Sequence, residues 1–262
     1  MYFCKVIFYF SGTGNTRWAA KEIEQAIHEP LLNIAVEING DCRYSLSEGE
    51  RIGFCFPVHG WRPPKLVREF IAKLSFGNDA SSHFCWALCT AGDDIGLSME
   101  YLNKDLEKKH LHASSMFSLI MPESYVGLPF MDVDSPDKEW TKKKKAERAL
   151  LDILPYIIQK EAGIIRTYKG HWPKINSHVL GAAFVKYLIT DKPFRVKEEV
   201  CKKCGKCAEV CPVHDIQASR GETPSWKHNG KCLTCFSCYH HCPVHAIEYG
   251  GRTKNKGQYL YY

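Results

Sequence analysis

The feature of this sequence that most restricts its possible fold is a cysteine motif that occurs twice. The chain has 262 residues and 13 cysteines, and eight of the cysteines lie between positions 201 and 242. The two copies, Cys201–Pro212 and Cys232–Pro243, both read C-x2-C-x2-C-x3-C-P, and the second follows the first at a constant offset of 31 residues. Because this segment has few large apolar side chains for a core of its own, we expect bound metal to hold it together.

The spacing of these cysteines predicts two [4Fe–4S] clusters. Three thiolates separated by two residues can surround one corner of an iron–sulfur cube, and in the bacterial two-cluster pattern the fourth cysteine of each motif binds the other cluster. Two zinc sites are the alternative, although zinc usually takes two C-x2–4-C pairs instead of a triplet followed by Cys-Pro. The segment resembles bacterial two-[4Fe–4S] ferredoxins. We therefore predict one ligand set of Cys201, Cys204, Cys207 and Cys242 and a second of Cys232, Cys235, Cys238 and Cys211.

The sequence has no pattern typical of secretion or of a membrane span. Its first ten residues, MYFCKVIFYF, run directly into SGTGNT without a cleavage site of small residues. The longest later apolar stretch, Val179–Ile189, is interrupted by Lys186 and is shorter than the roughly 20 residues that a membrane span needs. We therefore expect a cytoplasmic protein. In the cytoplasm, clustered cysteines usually bind metal or take part in catalysis.

The formal net charge of +6 does not by itself predict a nucleic-acid partner. Two oxidised clusters and one phosphomonoester cofactor would together carry about −6, which offsets the basic excess. The run Lys142–Lys145 is more typical of the solvated face of a helix than of a polyanion-binding patch.

The first 160 residues alternate apolar runs with helical patterns, which predicts a parallel sheet covered by helices on both faces. The interval Asn39–Glu50 is too short for a full helix, so one crossover helix is expected to be reduced or missing. The predicted strands are Tyr2–Phe10, Leu31–Ile38, Arg51–Val58, His83–Thr90 and Ala113–Met121. The predicted helices are Thr16–His28, Pro64–Leu74, Ile95–His110 and Asp137–Gln159.

A short polar loop, Ser11-Gly12-Thr13-Gly14-Asn15-Thr16, lies between the first strand and the first helix. Its small residues let backbone N–H groups approach a phosphate, its hydroxyls add donors, and the helix N-terminus adds positive potential. The lysine of a nucleotide-binding P-loop is missing, and so is the G-x-G-x-x-G dinucleotide motif. A plain turn with a helix cap is the alternative, but open α/β sheets bind ligands at this end of their strands.

This loop resembles the S/T-x-T-G-x-T motif by which flavodoxins bind the phosphate of FMN. The resemblance implies a sheet order of 2-1-3-4-5 and a flavin held by the loops after strands one, three and four. Tyr125, after strand five, is a further candidate for contact with the flavin ring. The implied FMN-binding residues are Ser11, Gly12, Thr13, Gly14, Asn15, Thr16, Pro57, Val58, His59, Gly60, Trp61, Thr90, Ala91, Gly92, Asp93 and Tyr125.

We therefore predict an α/β fold: a flavodoxin-like, doubly wound, five-stranded parallel sheet with a small α+β ferredoxin-like domain attached. The predicted division is residues 1–160 for FMN binding, 161–197 as a connector with a helix, 198–250 for two [4Fe–4S] clusters, and 251–262 as a tail. The whole chain resembles the flavodoxin–ferredoxin fusion proteins of anaerobic microbes.

This resemblance implies an electron-transfer protein that passes electrons between its clusters, FMN and redox protein partners. The first alternative is an oxidoreductase in which FMN reduces a small organic substrate. The second is a fold that has lost FMN and serves only for docking. The sequence predicts no catalytic residue.

Overall fold

The computed structural model describes residues 6–77 and 79–261. The strands are β1 (Val6–Tyr9), β2 (Leu31–Asn33), β3 (Arg43–Tyr44), β4 (Arg51–Pro57), β5 (Ser75–Phe76), β6 (Phe84–Ala91), β7 (Ser115–Ile120), β8 (Ile165–Arg166), β9 (Phe194–Val196), β10 (Ile216–Gln217), β11 (Ser225–Trp226) and β12 (Ile247–Tyr249). The helices are α1 (Asn15–Ile27), α2 (Ile34–Glu37), α3 (Lys65–Lys73), α4 (Ser98–Leu106), α5 (Pro136–Ile158), α6 (Pro173–Ile175), α7 (Gly181–Tyr187), α8 (Lys206–Glu209) and α9 (Ser237–His240). A 3-10 turn at Glu107–Lys109 follows α4, and a π-helical turn at Asn176–Leu180 joins α6 to α7.

Six parallel strands form the main sheet, in the order β2-β1-β4-β6-β7-β8. Helices α3 and α4 bury residues such as Phe70 and Leu102 against one face, together with Phe8 and Phe54 of the sheet. Helices α1 and α5 cover the other face. The near-continuous apolar strands are therefore buried on both sides, as expected for a parallel sheet between two helical layers.

The predicted number of strands was wrong, because β8 adds a sixth strand that we had assigned to the connector. Ile165 pairs with Met116 and Arg166 pairs with Phe117 at the edge of the sheet. This strand has only two residues, both exposed, so its side chains carry no apolar pattern that could reveal it. The order 2-1-3-4-5 therefore does not describe the whole sheet.

The prediction of one strand over Leu31–Ile38 was also wrong, because the chain turns into α2 after Asn33. The Asn33 side chain accepts a hydrogen bond from the backbone N–H of Ala35 at 3.0 Å and so caps the short helix. The apolar residues that follow do not continue the strand, and Ile34 is buried in the core. The first predicted strand, Tyr2–Phe10, begins outside the described residues.

The cysteine-rich part of the chain contains two short antiparallel pairs, β9 with β12 and β10 with β11. Its core is aromatic: Phe194 stacks on Trp226 with ring centroids 5.2 Å apart and packs edge-on against Tyr249. Phe236 lies in the same cluster. In the described ranges, no helix is long and apolar enough to cross a membrane.

Candidate functional site

A cavity of about 410 Å³ opens where strands β1, β4 and β6 end. Its walls come from the loops after these strands, the loop after β7, helix α7 and the second cysteine motif. Among the residues that we predicted to bind FMN, Gly14 alone is not part of the wall. The others are Ser11, Gly12, Thr13, Asn15, Thr16, Pro57, Val58, His59, Gly60, Trp61, Thr90, Ala91, Gly92, Asp93 and Tyr125.

The loop before α1 has the geometry of an anion-binding turn. Gly14 has a φ of 102°, which an L side chain rarely adopts, and its N–H donates to the Ser11 hydroxyl oxygen at 3.1 Å. Within the described parts of the chain, no group accepts from the backbone N–H groups of Gly12, Thr13, Asn15 or Thr16. These donors at the N-terminus of a 13-residue helix fit a phosphate group.

Some side chains of this loop form hydrogen bonds that stabilise the cavity wall, and others have groups available to a ligand. The hydroxyls of Thr16 and Thr90 lie 2.8 Å apart, so one hydroxyl donates to the other and one proton stays available to a ligand. Asn15 is used structurally: its side-chain amide donates to the Pro122 carbonyl at 2.9 Å and accepts from the Tyr259 hydroxyl at 2.6 Å. The Asn15 side chain is therefore already hydrogen-bonded, and its backbone N–H is the group left to bind FMN as predicted.

The loop after β4 forms a tight turn beside the cavity. Gly60 and Trp61 have φ values of 57° and 58°, and the His59 N–H donates to the Arg62 carbonyl at 2.9 Å. Burial lowers the pKa of His59 to about 4, so its imidazole is neutral at pH 7. The turn thus presents a neutral imidazole and an indole to whatever occupies the cavity.

The loop after β7 contributes a carboxyl group that sequence reasoning missed. One oxygen of Glu123 accepts from the backbone N–H groups of Ser124 and Tyr125, both at 2.8 Å. Burial is the largest influence on this carboxyl and raises its pKa. Nothing in the sequence distinguishes Glu123 from other acidic residues, and only the fold carries it to this wall.

Tyr125 lies between the cavity and the cysteine-rich part of the chain. Its ring packs edge-on against Phe236 and tilted against Phe184, with centroids 5.3 Å apart in both pairs. Its hydroxyl is buried without a hydrogen-bond partner among the described residues. A Cβ placed on Gly127 would lie 2.6 Å from this hydroxyl, and Gly127 is not part of the cavity wall.

The eight motif cysteines surround two smaller cavities, four at each. The first cysteine group, Cys201, Cys204, Cys207 and Cys242, lines one of them. The second cysteine group, Cys211, Cys232, Cys235 and Cys238, lines the other. Each group combines three cysteines of one motif with the last cysteine of the other, which is the division that the sequence predicts. Across residues 6–77 and 79–261, no three histidine, cysteine or acidic side chains are close enough to share a single metal ion.

Backbone N–H groups point at the sulfur atoms in a pattern that repeats between the two motifs. The N–H of Asp215 donates to the sulfur of Cys211 at 3.3 Å, and the N–H of Ala246 donates to the sulfur of Cys242 at 3.2 Å. The partners lie four residues apart in both cases. Donors of this kind stabilise negative charge on a thiolate, as the cluster ligands of iron–sulfur proteins require.

Burial makes these thiols weak acids in the absence of metal. It raises the pKa of Cys207 to about 11 and that of Cys235 to about 12. Because ligands must be deprotonated to bind iron, loading the two cysteine groups would release protons.

The second cysteine group lies directly against the loop before α1. A Cβ placed on Gly12 would be 3.3 Å from the Cβ of Cys235 and 3.8 Å from its sulfur. Leu233, Thr234 and Cys235 also form part of the wall of the large cavity. The large cavity and the second cysteine group therefore share a wall, which no sequence motif could indicate because the two segments are more than 200 residues apart.

Comparison with known families supports iron–sulfur clusters in the cysteine-rich segment. Residues 194–243, which contain all eight motif cysteines, match the family model described as a 4Fe-4S dicluster domain. Comparison with curated proteins found no match for the chain.

Several solved structures match the chain weakly. The Trp repressor binding protein of Bacillus subtilis is 10% identical, with 58% of this chain and 97% of that one covered, at a TM-score of 0.36. A putative flavoprotein of Bacteroides uniformis is 17% identical over 45% and 92% of the two chains, at a TM-score of 0.31. The azoreductase of Bacillus anthracis is 8% identical over 59% and 96%, at a TM-score of 0.33. At these scores the similarities support no conclusion about this chain.

Proposed function

We propose that this protein is an electron-transfer iron–sulfur flavoprotein that passes electrons between two [4Fe–4S] clusters, FMN and redox protein partners. The observation that carries the proposal is the wall shared by the large cavity and Cys235. A cofactor in the cavity and a cluster on the second cysteine group would be immediate neighbours. Clusters transfer single electrons, and FMN can take one or two, so adjacent sites couple the two kinds of chemistry.

Iron–sulfur clusters suit the two cysteine groups. The family match at residues 194–243 supports clusters in this segment. The repeated N–H donors to Cys211 and Cys242 add support for thiolate ligands in both groups. We propose that the first cysteine group binds one cluster and the second cysteine group binds the other.

FMN suits the large cavity because the loop before α1 brings backbone N–H donors and hydroxyls to its wall. The unpartnered backbone N–H groups of Gly12, Thr13, Asn15 and Thr16, together with the hydroxyls of Thr16 and Thr90, would hold the phosphate. Trp61 and Tyr125 offer aromatic surface to the ring system. A volume of about 410 Å³ lies within the range of roughly 300–1,000 Å³ that is usual for cofactor sites.

The two cysteine groups would have different roles in the transfer. Cys204 of the first group is exposed, whereas Cys235 of the second group lies against Gly12. We propose that redox partners exchange electrons at the first group, and that the second group relays them to or from the flavin.

Anaerobic purification followed by iron, sulfide and flavin analysis tests the proposal. We expect about eight iron atoms, about eight sulfides and one FMN per chain. We also expect the flavin absorbance to bleach when a low-potential protein donor reduces the clusters. A protein that carried eight iron atoms but no flavin, and that bound no added FMN, would contradict the proposal.

A second function, the reduction of a small organic substrate by FMN, is favoured by one observation. Glu123, whose pKa is raised by burial, is a group able to hold or donate a proton, and it lines the cavity together with the neutral imidazole of His59. Phe130 also lines the cavity, and 82% of this residue is exposed to solvent. Steady-state turnover with quinones, nitroaromatics and enones under anaerobic conditions separates the two functions. A carrier would turn these acceptors over no faster than free FMN.

A further inference from the structure

We infer that residues 252–261, here called the strap, are a positioning element for the loop that would hold the FMN phosphate. The inference rests on the proposed function, since it concerns the affinity of that same site. The strap is a segment without strand or helix that runs from the cysteine-rich part across the outside of the loop. None of its described residues lines the cavity, so the strap acts through residues that do.

The strap fixes the backbone of the loop at Thr13 and Gly14. The N–H of Tyr261 donates to the Thr13 carbonyl at 2.8 Å. A Cβ placed on Gly14 would lie 2.5 Å from the Tyr261 carbonyl oxygen, so the two backbones are in direct contact. The Tyr261 ring stacks on Trp18 of α1 with centroids 5.2 Å apart, which anchors the contact to the helix. With the Thr13 carbonyl held on the outside, the neighbouring N–H groups remain free for a ligand.

The strap also holds the first residue of α1. Tyr259 is 4% exposed, and its hydroxyl donates to the Asn15 side-chain oxygen at 2.6 Å. Asn15 in turn donates to the Pro122 carbonyl at 2.9 Å. One hydroxyl of the strap therefore fixes the start of the helix relative to the loop after β7.

The other attachments of the strap reach the second cysteine motif and the loop after β7. The Tyr259 N–H donates to Nδ1 of His240 at 3.1 Å, and the Gln258 amide donates to the Cys242 carbonyl at 2.8 Å. The Lys256 ammonium donates to the Val126 carbonyl at 3.0 Å and also to the carbonyls of Leu128 and Met131. The strap thus connects the ligand segment of the clusters, the loop after β7 and the phosphate loop.

This arrangement predicts a specific change in ligand preference when the strap is altered. Weakening it should loosen the N–H groups that would bind phosphate and leave the walls around the ring in place. The affinity for FMN should therefore fall, whereas the affinity for riboflavin, which has no phosphate, should change little. A merely structural role would lower both affinities together.

The test compares the wild-type holoprotein with Tyr259→Phe and with a variant that lacks residues 259–262, by anaerobic titration with FMN and with riboflavin. We expect FMN affinity to fall by several-fold in Tyr259→Phe and by about tenfold or more in the deletion variant, at unchanged iron content. Tyr187→Phe, at an exposed tyrosine, is the matched control and should bind both flavins as the wild type does.

An unchanged ratio of FMN to riboflavin affinity in Tyr259→Phe would overturn the inference, even if the deletion variant failed to fold. A wild-type protein that bound FMN no better than riboflavin would overturn the phosphate site itself. A wild-type protein that bound neither flavin would overturn the proposed function and the role of the strap with it.

Discussion

The carbonyl oxygen of Gly60 lies so close to Gly181 that a Cβ on Gly181 would overlap it. Gly60 in turn leaves room for Phe184, whose ring would be 2.6 Å from a Cβ at position 60. Helix α7 therefore lies directly on the turn after β4, and this contact sets the shape of one wall of the cavity.

Gly181→Ala should displace the turn at Gly60 and weaken flavin binding by several-fold. The added methyl group cannot fit without moving the Gly60 peptide, and overpacking of this kind costs about 1–3 kcal/mol. Flavin titration and thermal unfolding of the holoprotein measure the two effects. Gly251→Ala is the control, because a Cβ there meets nothing within 4 Å. Equal flavin affinity in both variants would mean that α7 does not shape the site.

Thr13→Val should lower the affinity for FMN and leave the affinity for riboflavin nearly unchanged. Thr13 is buried in the cavity wall, and valine has a similar shape without the hydroxyl donor. A lost hydrogen bond to a charged phosphate corresponds to about 1.5–3 kcal/mol, or roughly one to two powers of ten in affinity. Thr13→Ser keeps the hydroxyl and should retain most of the binding. If valine and serine bound FMN equally well, the hydroxyl would have no part in phosphate binding.

Cys204→Ala and Cys235→Ala should each reduce bound iron by up to about four atoms, with different consequences for the flavin. Cys235→Ala should prevent a cluster from binding to the second cysteine group and so remove the electron path to FMN. It should also disturb the absorption spectrum of the flavin. Cys204→Ala should leave the flavin spectrum intact, because that cysteine is exposed and does not line the cavity. Iron analysis and stopped-flow reduction give the readouts. Cys89 is a buried cysteine of β6, so Cys89→Ala is the control for the loss of a thiol in general. This variant should bind as much iron as the wild type.

Acidification should destabilise the protein through His59. Burial lowers the pKa of this histidine from 6.5 to about 4, so between these pH values the unfolded chain takes up a proton that the folded chain does not. The free energy of unfolding therefore falls as the pH drops from about 6.5 to about 4. Denaturant unfolding of wild type and His59→Gln over this range measures the effect. Subtracting the free energies of unfolding of the two proteins at each pH removes the contribution of the acid-sensitive clusters. Identical pH profiles would contradict the lowered pKa of His59.

Local sequence patterns located the two cysteine motifs and the loop before α1 because each depends on short spacings, whereas the exchange of the fourth cysteine between motifs was predicted from the bacterial two-cluster pattern. The constant offset between Cys201 and Cys232 implies related geometry in the two motifs, and the structure brings the corresponding four-cysteine sets together. The loop from Ser11 to Thr16 follows a buried strand, so its position at the end of the sheet could be derived without coordinates. The identity of the ligands at both places stays a prediction.

The parts that sequence reasoning missed depend on contacts between distant segments. Phe184 and Glu123 line the cavity, yet neither lies in a motif. Tyr259 contacts Asn15 across 244 residues, and its neighbours in the sequence form no helical or strand pattern. Asn33 was missed for a different reason: its capping side chain ends β2 within an apolar run that reads as one strand.

The lack of a side chain at Gly12 lets the loop before α1 and the second cysteine motif lie backbone against backbone. A Cβ at that position would lie 3.3 Å from both the Cβ and the carbonyl oxygen of Cys235, so a larger side chain would have to displace one segment from the other. A different cysteine-rich segment joined after residue 190 would need a backbone that approaches Gly12 as closely, and a flexible linker alone would not provide that fit. Complementary surfaces, and not only covalent continuity, therefore join the two segments.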